Sequence, residues 1–407
     1  MTNMAKVVVL GGGYAGLRAI KVLIDKAPKD TQLVLVSDTR IHTEKTNIHE
    51  VAAGTTAPAS ISFDVAEVAK PQRVKFILDT VTGIDLENKT VALKGDAEPL
   101  SYDYVIIALG FRSETFGISG AEENALPLTT LDQASAVATH IENQIKHYQE
   151  SQDPNDLKVI VCGAGFTGIE LLGELIHSTR QWAKKYNTPN VELYCVEAST
   201  NILPMFDQGL ADFAVDYLKR NGVQFLLGAK ISGVEDGKVV YQKDEEQQEV
   251  TGNSIVWTVG VGGSHVMDDP AFSSKRGRSI TQDDLSLNAD HPEVFVVGDV
   301  AAIMNPENNR PWPTTAQVAL KSAAHAAENV ANLISGGSAT PFVFHSLGTV
   351  ASLGRTQAIG EVSMGGKQVK LKGYPASALK KVIVDRSLYF DNGVSGILKH
   401  GRFDVWH

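Results

Sequence analysis

Short β-branched and aliphatic runs alternate with helical patterns along most of this 407-residue chain. Two of these runs, Lys6–Leu10 and Lys158–Cys162, each lead into a glycine-rich turn and then into apolar residues at helical spacing. After each helical pattern a second apolar run occurs, at Gln32–Ser37 and at 191–197. The hydrophobic pattern therefore predicts two copies of one β-α-β unit.

Both glycine-rich turns have the spacing G-x-G-x-x-G. The glycines are Gly11, Gly13 and Gly16 in the first copy, and Gly163, Gly165 and Gly168 in the second. Between a strand and a helix, the first glycine permits the tight turn, the second lets the backbone approach a diphosphate, and the third lets the helix pack closely. The free N–H groups of the helix N-terminus then face the phosphates. One such turn is weak evidence, but two in register predict two dinucleotide sites.

Three further apolar strands are predicted at 104–111, 254–261 and 294–300. We interpret the chain as an α/β protein with two Rossmann-type dinucleotide-binding domains, one inserted in the other, followed by a C-terminal module. The predicted boundaries are 1–115 with 275–335 for the split domain, 116–274 for the inserted domain and 336–407 for the C-terminal module.

Polar residues at the strand ends indicate what each unit binds. In the second unit the second strand ends at Glu197, whose carboxylate suits a ribose hydroxyl and repels a 2′-phosphate, which favours NADH over NADPH. In the first unit that position is Ser37, and we expect the next residue, Asp38, to make the adenosine contact unless it is only a solvated turn residue. Asp299 is suited to hold a ribityl hydroxyl of a flavin, or alternatively to cap a helix.

Composition excludes several classes of protein. A net charge of -10 argues against nucleic acid as a partner, because phosphate binding needs a clustered positive field. The two cysteines, Cys162 and Cys195, each lie in a strand-like run and are expected to pack as small hydrophobes, which suits a reducing cytoplasm. No apolar stretch approaches the ~20 residues of a membrane span. The first residues do not resemble a signal peptide, and we expect no metal site.

Further motifs accompany the two units: L-G-F at 109–111 with S-E-T-F-G at 113–117, G-F-T-G-I-E at 165–170 with G-E-L at 173–175, L-P-M-F at 203–206, W-T-V-G at 257–260 and P-T-T-A-Q at 313–317. Together they resemble, over nearly the whole chain, the two-dinucleotide-binding flavoproteins of the pyridine nucleotide-disulfide oxidoreductase superfamily. The similarity is greatest to the type II NADH dehydrogenases, which oxidise NADH and reduce quinone without pumping protons. Residues 39–50 contain no cysteine, unlike the disulfide reductases of that superfamily, so sulfur chemistry is not expected.

The resemblance implies two nucleotides and a direct hydride transfer between them. It implies that FAD binds non-covalently at Gly11, Gly13, Tyr14, Ala15, Gly16, Asp38, Thr46, Ala108, Gly110, Asp299, Thr315, Ala316 and Gln317. It implies that NADH binds at Gly163, Gly165, Phe166, Thr167, Gly168, Glu197 and Gly260. Hydride would pass from the stacked nicotinamide to flavin N5, and two electrons would then pass to a quinone of the menaquinone or ubiquinone type.

Three residues are catalytic candidates under this resemblance. Glu170, expected on the first turn of its helix, would lie beside the nicotinamide and the route to the second substrate, although the helix dipole alone also favours a glutamate there. Residues 315–317 are expected to open a helix whose N–H groups meet negative charge on the flavin. Gln317 occupies the position that faces the quinone in the family. Lys321 replaces the second glutamine of the family pattern A-Q-x-A-x-Q, so the identity of the quinone stays open.

The C-terminal module has a different charge from the rest of the chain. Beyond residue 340, nine Lys and Arg residues stand against four Asp and Glu residues. A helix is predicted at 376–390, followed by a glycine-rich stretch. Its apolar and basic residues suit an anionic lipid surface, as in the family. We therefore expect a peripheral protein on the cytoplasmic side of the cell membrane, with a homodimer interface as the alternative or additional use of this module.

Two other functions remain open at this point. The chain could be a soluble NADH dehydrogenase, or diaphorase, with a non-quinone acceptor, which Lys321 would favour. It could also be a flavin-binding interaction protein that responds to NADH.

Overall fold

The computed structural model describes residues 4–364, 367–386 and 401. Within them, eight helices have both ends defined: α1 (Tyr14–Lys26), α2 (Ile48–Ala52), α3 (Ala66–Ala69), α4 (Ala121–Asn124), α5 (Leu131–Ser151), α6 (Phe166–Tyr186), α7 (Gln208–Arg220) and α8 (Ala316–Ile334). A further helix occupies residues 374–386 and is called the C-terminal helix below.

Five parallel strands form the first sheet. They are β1 (Lys6–Leu10), β2 (Gln32–Ser37), β5 (Val74–Leu78), β9 (Tyr104–Ile107) and β21 (Val294–Val296), in the order β5-β2-β1-β9-β21. The central strands are buried: α1 and α8 pack against each other beside the sheet, and residues Val81, Ile84, Val91 and Leu93 belong to the same hydrophobic core. Since β21 comes from far along the chain, this sheet is assembled from two separate stretches of sequence.

The second sheet repeats the first. Its strands are β11 (Leu126–Pro127), β12 (Lys158–Cys162), β13 (Glu192–Glu197), β14 (Val223–Leu227) and β18 (Ser254–Trp257), all parallel, in the order β14-β13-β12-β18-β11. Strand β12 takes the central place that β1 has in the first sheet. The prediction of an α/β fold with two Rossmann-type units is confirmed. The domain boundaries given above remain predictions.

The repeat extends to an antiparallel sheet in each unit. In the first unit it consists of β6 (Val81–Asp85), β7 (Thr90–Leu93) and β8 (Leu100–Ser101), and in the second of β15 (Lys230–Glu235), β16 (Lys238–Lys243) and β17 (Glu246–Thr251). Four short pairs complete the two units: β3 (Ile41–Thr43) with β4 (Ser62–Asp64), β10 (Arg112–Ser113) with β19 (Val261–Gly262), β20 (Ser279–Ile280) with β22 (Ala301–Ala302), and β23 (Met304–Asn305) with β24 (Arg310–Pro311).

The C-terminal module is an antiparallel sheet followed by the C-terminal helix. The strands are β25 (Gly348–Ser352), β26 (Ala358–Met364) and β27 (Lys367–Lys372). The predicted helix is present but begins at Tyr374 and not at 376, because Pro375 is tolerated in a first turn, where its missing N–H has no partner to lose. The predicted remainder of this helix and the basic and apolar residues after it lie outside the described residues, except 401. No helix in the described part of the chain has the length and hydropathy needed to cross a bilayer.

Helix α6 is the element that holds the second unit and the C-terminal module together. It packs against α2, α5 and β25, and twelve of its 21 residues are buried. At Gly173 the helix backbone approaches the chain at Leu353 so closely that a Cβ on the glycine would lie 2.4 Å from the Leu353 carbonyl carbon. Only a glycine permits this approach, because the obstacle is backbone and not a movable side chain.

We therefore expect Gly173→Ala to destabilise the protein. The gain in helix propensity is about 1 kcal/mol, whereas the overlap costs about 1–3 kcal/mol or displaces the C-terminal module. The measurement is the free energy of unfolding in urea, with protection of β25 from hydrogen exchange as a local readout. Gly83→Ala is the matched control, because its nearest neighbour is the Ala92 side chain at 3.9 Å. Equal stability of the two variants would contradict the prediction.

Candidate active site

The loops at the carboxyl ends of the parallel strands of each sheet meet at one edge, as the ends of parallel strands must. In the first unit these loops contain the glycine-rich turn after β1, Asp38 after β2, the 108–110 segment after β9 and Asp299 after β21. The predicted residues of the first nucleotide site, although spread over nearly 300 positions of sequence, therefore lie along the same edge.

The first glycine-rich turn has close contacts at its two ends and open space in its middle. Gly11 has φ +107°, and a Cβ on Gly16 would lie 1.7 Å from the Gly11 carbonyl oxygen. A Cβ on Gly13, by contrast, would meet no protein atom of the described chain within 4 Å. The glycines at the ends are thus required by packing, whereas the space at Gly13, at the N-terminus of α1, is available to an anionic group.

The second turn has the same division. Gly163 has φ +103°, and a Cβ on Gly168 would lie 2.0 Å from the Gly163 carbonyl oxygen. Around a Cβ on Gly165 no protein atom of the described chain lies within 4 Å. Both turns consequently fit a diphosphate at the same place.

Hydrogen bonds connect the first glycine-rich turn and the start of α1 to the residues of β3 and the 3-10 turn after it. The Tyr14 hydroxyl, on the first residue of α1, donates to Glu44 Oε2 at 2.7 Å and lies 3.3 Å from Thr46 Oγ1. His42 Nδ1 lies 3.1 Å from the carbonyl oxygen of Gly12 inside the turn. Burial raises the pKa of Tyr14, and Glu44 raises it further, so Tyr14 stays neutral. Thr46 is therefore held beside the N-terminus of α1.

The two aspartates of the first site differ. Asp38 is exposed, whereas Asp299 is partly buried in a short 3-10 turn, Gly298–Val300. Asp299 does not cap this turn, so the capping alternative is wrong. Its carboxylate accepts no hydrogen bond from the part of the chain that the structure describes. Burial raises the pKa of Asp299, and the cations Lys45 and Arg278 oppose that shift.

In the second site, Glu197 lies at the end of β13 beside the glycine-rich turn. Its carboxylate accepts hydrogen bonds from Ala164 N and Ser199 N, both at 2.8 Å. Phe166, which begins α6 with Thr167 after it, packs against Phe206 with ring centres 5.7 Å apart.

Gly260 lies under an aromatic ring at the margin of the second site. It has φ +70°, and a Cβ there would lie 2.5 Å from the Phe116 ring. Phe116 is half exposed, and the guanidinium group of Arg276 lies over its ring, 5.8 Å from the ring centre. The ring thus borders the space next to Gly260 on one side.

Helix α8 begins as predicted, with Thr315 as the N-cap and Ala316 as its first residue. The Gln317 side chain, however, is bound within the protein: its Oε1 accepts from Leu347 N at 2.7 Å and its Nε2 donates to Gly348 O at 3.4 Å. Lys321, one turn later, donates from Nζ to His345 O at 2.9 Å. Both side chains thus hold the segment that leads into β25.

Glu170 is buried, and several groups converge on it. Its Oε1 accepts from Ser352 N at 2.9 Å and from Lys380 Nζ, and its Oε2 lies 3.4 Å from His49 Nδ1. Burial raises the pKa of Glu170, while Lys380 and the Ser352 amide favour the charged form. The carboxylate therefore links α6, α2, the end of β25 and the C-terminal helix.

Two predictions about these residues are wrong. Glu170 is the fifth residue of α6, so it lies in the second turn of the helix and not in the first. Lys380 is one of the basic residues of the helix predicted to face lipid, but its side chain is only 13% exposed and points to Glu170. The attraction of a buried carboxylate outweighs the tendency of a lysine to remain in solvent.

Two more carboxylates belong to this region: Glu174, one turn after Glu170 on α6, and Glu50 on α2. Glu174 Oε2 accepts from Thr55 Oγ1 at 2.8 Å, and Glu50 Oε2 accepts from Thr56 Oγ1 at 2.7 Å. Burial, followed by the charge of Glu50, raises the pKa of Glu174 to about 7. A carboxyl group with a pKa near neutral pH therefore lies one turn after Glu170 on α6.

The residues that the sequence reasoning missed are Lys380, Ser352 and the pair Glu50 and Glu174. Glu174 entered only as part of a motif. It could have been recognised from the spacing of Glu170 and Glu174, which are four residues apart on a largely apolar helix and therefore lie on one face. Ser352 contributes only its backbone N–H, so no side-chain pattern could identify it.

Neither cysteine takes part in the site. Cys162 and Cys195 lie on the neighbouring central strands β12 and β13 and are fully buried. Burial raises the pKa of Cys162 to about 12, and that of Cys195 is also raised well above its ordinary value. The prediction that both are packing residues agrees with this burial, since a thiol is reactive only as the thiolate.

Two Rossmann-type units, two glycine-rich turns and a C-terminal sheet over the second unit define a two-dinucleotide oxidoreductase. A family model described as pyridine nucleotide-disulphide oxidoreductase matches residues 5–323. The chain belongs to this family, and within it to the type II NADH:quinone oxidoreductases.

Curated relatives support the narrower assignment. The type II NADH:quinone oxidoreductase of Staphylococcus haemolyticus is 38% identical over 404 residues, 98% of each chain. That of Staphylococcus aureus is 36% identical over 404 residues, again 98% of each chain.

Solved structures support the fold. The structure of NDH2 from Plasmodium falciparum in complex with NADH has a TM-score of 0.86 at 17% identity, covering 98% of both chains. The sulfide:quinone oxidoreductase of the hyperthermophilic bacterium Aquifex aeolicus has a TM-score of 0.75 at 20% identity, covering 96% of this chain and 92% of that one.

The raised pKa of Glu174 makes stability depend on pH. The folded protein keeps the Glu174 proton up to about pH 7, whereas the unfolded chain loses it near pH ~4.3. The free energy of unfolding should therefore fall as pH rises through this window. Glu174→Gln removes this fall. Its free energy of unfolding should therefore equal that of the unsubstituted protein near pH ~5 and exceed it near pH ~8, by up to about 3 kcal/mol.

Urea unfolding at a series of pH values measures this difference. Glu246→Gln, on the exposed strand β17, is the matched control and should leave the pH dependence unchanged. If the curves of Glu174→Gln and the unsubstituted protein run parallel from pH ~5 to ~8, the assignment of a neutral Glu174 is incorrect.

Proposed function

We propose that this protein is an FAD-dependent NADH:quinone oxidoreductase that does not pump protons. The observation that carries the proposal is the position of Glu170 and Gln317 at opposite ends of β25, Glu170 on Ser352 N and Gln317 on Leu347 N and Gly348 O. Helices from both nucleotide units thus meet on one five-residue strand. When bound in the first unit, FAD would supply the redox chemistry, hydride acceptance at N5 from NADH and transfer of two electrons to a quinone.

Within the first unit, the open space at Gly13 receives the diphosphate of FAD at the N-terminus of α1. Asp299 offers a carboxylate that the described protein does not use, which suits a ribityl hydroxyl. Thr46, held on Tyr14, and the 108–110 segment border the same edge. The N–H groups at the start of α8, near Ala316, would stabilise negative charge on the flavin ring.

Within the second unit, Gly165 leaves the corresponding space for the diphosphate of NADH. Glu197 accepts ribose hydroxyls and disfavours a 2′-phosphate by charge repulsion. Phe166 and Thr167 begin the helix over which the nucleotide extends, and Gly260 lets the chain approach it closely. The role of Glu170 is to border the nicotinamide.

Reduction of a quinone to a quinol takes two electrons and two protons. NADH supplies both electrons and one proton as hydride, so one proton comes from solvent. Glu170 and Glu174 lie on one face of α6, and Glu174 holds a proton up to about pH 7. We propose that these two carboxyl groups hold the solvent-derived proton at the buried end of the site. Lys380 compensates the negative charge on Glu170 Oε1.

The quinone approaches at the segment held by Gln317 and Lys321. Near this segment, Val343 and Leu347 are 68% and 41% exposed, and Val382 and Ile383 on the C-terminal helix are 55% and 46% exposed. Exposed apolar side chains on a basic module suit an anionic lipid surface that holds the quinone. We assign the protein to the cytoplasmic side of the cell membrane as a peripheral homodimer, with the domain boundaries predicted above.

Lys321 favours a second function. Because it stands where the family has glutamine, the acceptor could be something other than a quinone, which would make the protein a soluble diaphorase. Sedimentation with anionic vesicles separates the two: the proposed enzyme binds them and the diaphorase does not. A third function, an interaction protein that responds to NADH, would show slow flavin reduction and no sustained turnover.

The two turns allow a test that separates the two nucleotides. Gly13→Ala should lower FAD retention with little change in stability, because the new methyl fills space that only the ligand uses. Gly165→Ala should keep FAD and raise the KM for NADH. The loss of FAD affinity in Gly13→Ala and the rise of KM in Gly165→Ala should each be about tenfold or larger. FAD per chain after gel filtration and steady-state kinetics measure them. If both variants lose FAD equally, the assignment of nucleotides to units is incorrect.

The acceptor is tested by reducing the flavin with NADH under nitrogen and then adding menaquinone or ubiquinone analogues while flavin absorbance is followed. We expect rapid reoxidation in the unsubstituted protein. In Gln317→Ala it should be slowed about tenfold or more, because the hydrogen bonds to Leu347 and Gly348 that hold the segment are lost. Gln224→Ala, on an exposed position of β14, is the control. Fast reduction by NADH without reoxidation by any quinone would exclude the quinone reductase and leave the diaphorase.

A further inference from the structure

Lys45 is a cation that the proposed function does not use. It begins the 3-10 turn Lys45–Asn47, directly after β3 and Glu44. No carboxylate of the described chain lies within 4 Å of its Nζ, and its ammonium donates no hydrogen bond to any described residue. A half-buried ammonium loses hydration, and without such a partner it has no hydrogen bond or close ion pair to replace the lost water.

The backbone on both sides of Lys45 is tied to the N-terminus of α1. The preceding residue, Glu44, and the following residue, Thr46, both contact the hydroxyl of Tyr14, at 2.7 and 3.3 Å. Tyr14 is the first residue of α1, the helix whose N-terminal N–H groups border the open space at Gly13. The turn that carries Lys45 therefore lies beside this anion-binding end.

The side chain of Lys45 extends along the edge of the first sheet. Its Nζ lies 4.5 Å from the centre of the Phe111 ring, in the loop after β9. Two carboxylates act on it electrostatically, Asp299 more than Asp38. Asp38 comes after β2 and Asp299 after β21, so they lie on opposite sides of the glycine-rich turn after β1. Burial lowers the pKa of Lys45, and both carboxylates oppose that shift.

The other cation near Asp299 is already engaged. Arg278 donates from Nη2 to Ala301 O at 3.0 Å and to Trp312 O at 3.5 Å. These two bonds fix the guanidinium group on the backbone, although its Nε has no hydrogen-bond partner among the described residues. Lys45, which donates to no described residue, has all three of its donors available to a ligand. A dinucleotide that has its adenosine at Asp38 and its ribityl chain at Asp299 places its diphosphate between them.

We propose that Lys45 binds the diphosphate of the dinucleotide in the first unit, as a charged ligand in addition to the backbone N–H groups of the glycine-rich turn. This inference rests on the proposed function, since it takes FAD as the occupant. A lysine acts on phosphate as a point charge with three donors, so its contribution is electrostatic and falls with ionic strength.

The test compares FAD affinity in full-length holoprotein variants, measured by the rise of flavin fluorescence on dilution at low and high NaCl. Lys45→Met should raise the Kd for FAD about 10- to 100-fold at low salt, the range expected for a hydrogen bond to a charged group. High salt should narrow the difference, and Lys45→Arg should retain most of the affinity. Lys75→Met, on an exposed position of β5, is the matched control for loss of one positive charge.

The flavin midpoint potential is the second readout, because a cation on the diphosphate is remote from the flavin ring. We expect the potential of Lys45→Met to equal that of Lys75→Met. An unchanged Kd for FAD would overturn the inference. A potential shifted relative to Lys75→Met would also overturn it, because it would place the ammonium near the flavin ring and not on the diphosphate. If the unsubstituted protein retains no FAD, the proposed function fails; if it retains FAD and Lys45→Met does too, only this inference fails.

Discussion

The burial of one carboxylate, Glu170, is the constraint on which the arrangement of the site depends. An ionised carboxylate removed from water is costly unless charges and hydrogen bonds surround it. Here the compensation comes from Lys380 on the C-terminal helix and from the Ser352 amide at the end of β25. Neither belongs to the unit that contains α6. Docking of the C-terminal module therefore supplies partners that the buried carboxylate needs, and the contact at Gly173 provides the close approach.

The two nucleotide units illustrate how a repeated framework takes on different roles. Their glycine-rich turns have the same close approach of the third glycine to the carbonyl oxygen of the first, and the same open space in the middle. The difference lies in the residues that surround each turn. The second unit has Glu197 bound to its own turn, whereas in the first unit polar and charged residues from the end of β3 and the 3-10 turn after it, 42–46, lie beside the glycine-rich turn. The α-helix N-terminus supplies a common anion site, and the neighbouring side chains decide its occupant.

Much of the site could be predicted because its pattern is local. Glycine spacing, a strand before it and a helix after it occur within some 20 residues, so both turns and the start of α8 were predicted correctly. Lys380 was misinterpreted because its neighbours, Lys381 and Val382, are typical of an amphipathic surface helix. Whether a lysine on such a helix faces lipid or a buried carboxylate depends on an element more than 200 positions away. Hydrophobic periodicity contains no information about that distance.

By itself, the sequence determined the fold class, the internal repeat and the glycines that the tight turns require. The reason is that steric exclusion at a glycine and the period of a strand or helix are properties of neighbouring residues. Only the tertiary structure decided how charges pair. It placed Glu170 and Gln317 on the two ends of one strand, turned Lys380 inward and raised the pKa of Glu174. It also put Lys45 near Asp299 and Asp38 but, among the described residues, with no carboxylate within 4 Å of its Nζ. Electrostatic free energies depend on burial and on distances between elements, and these exist only once the chain has folded.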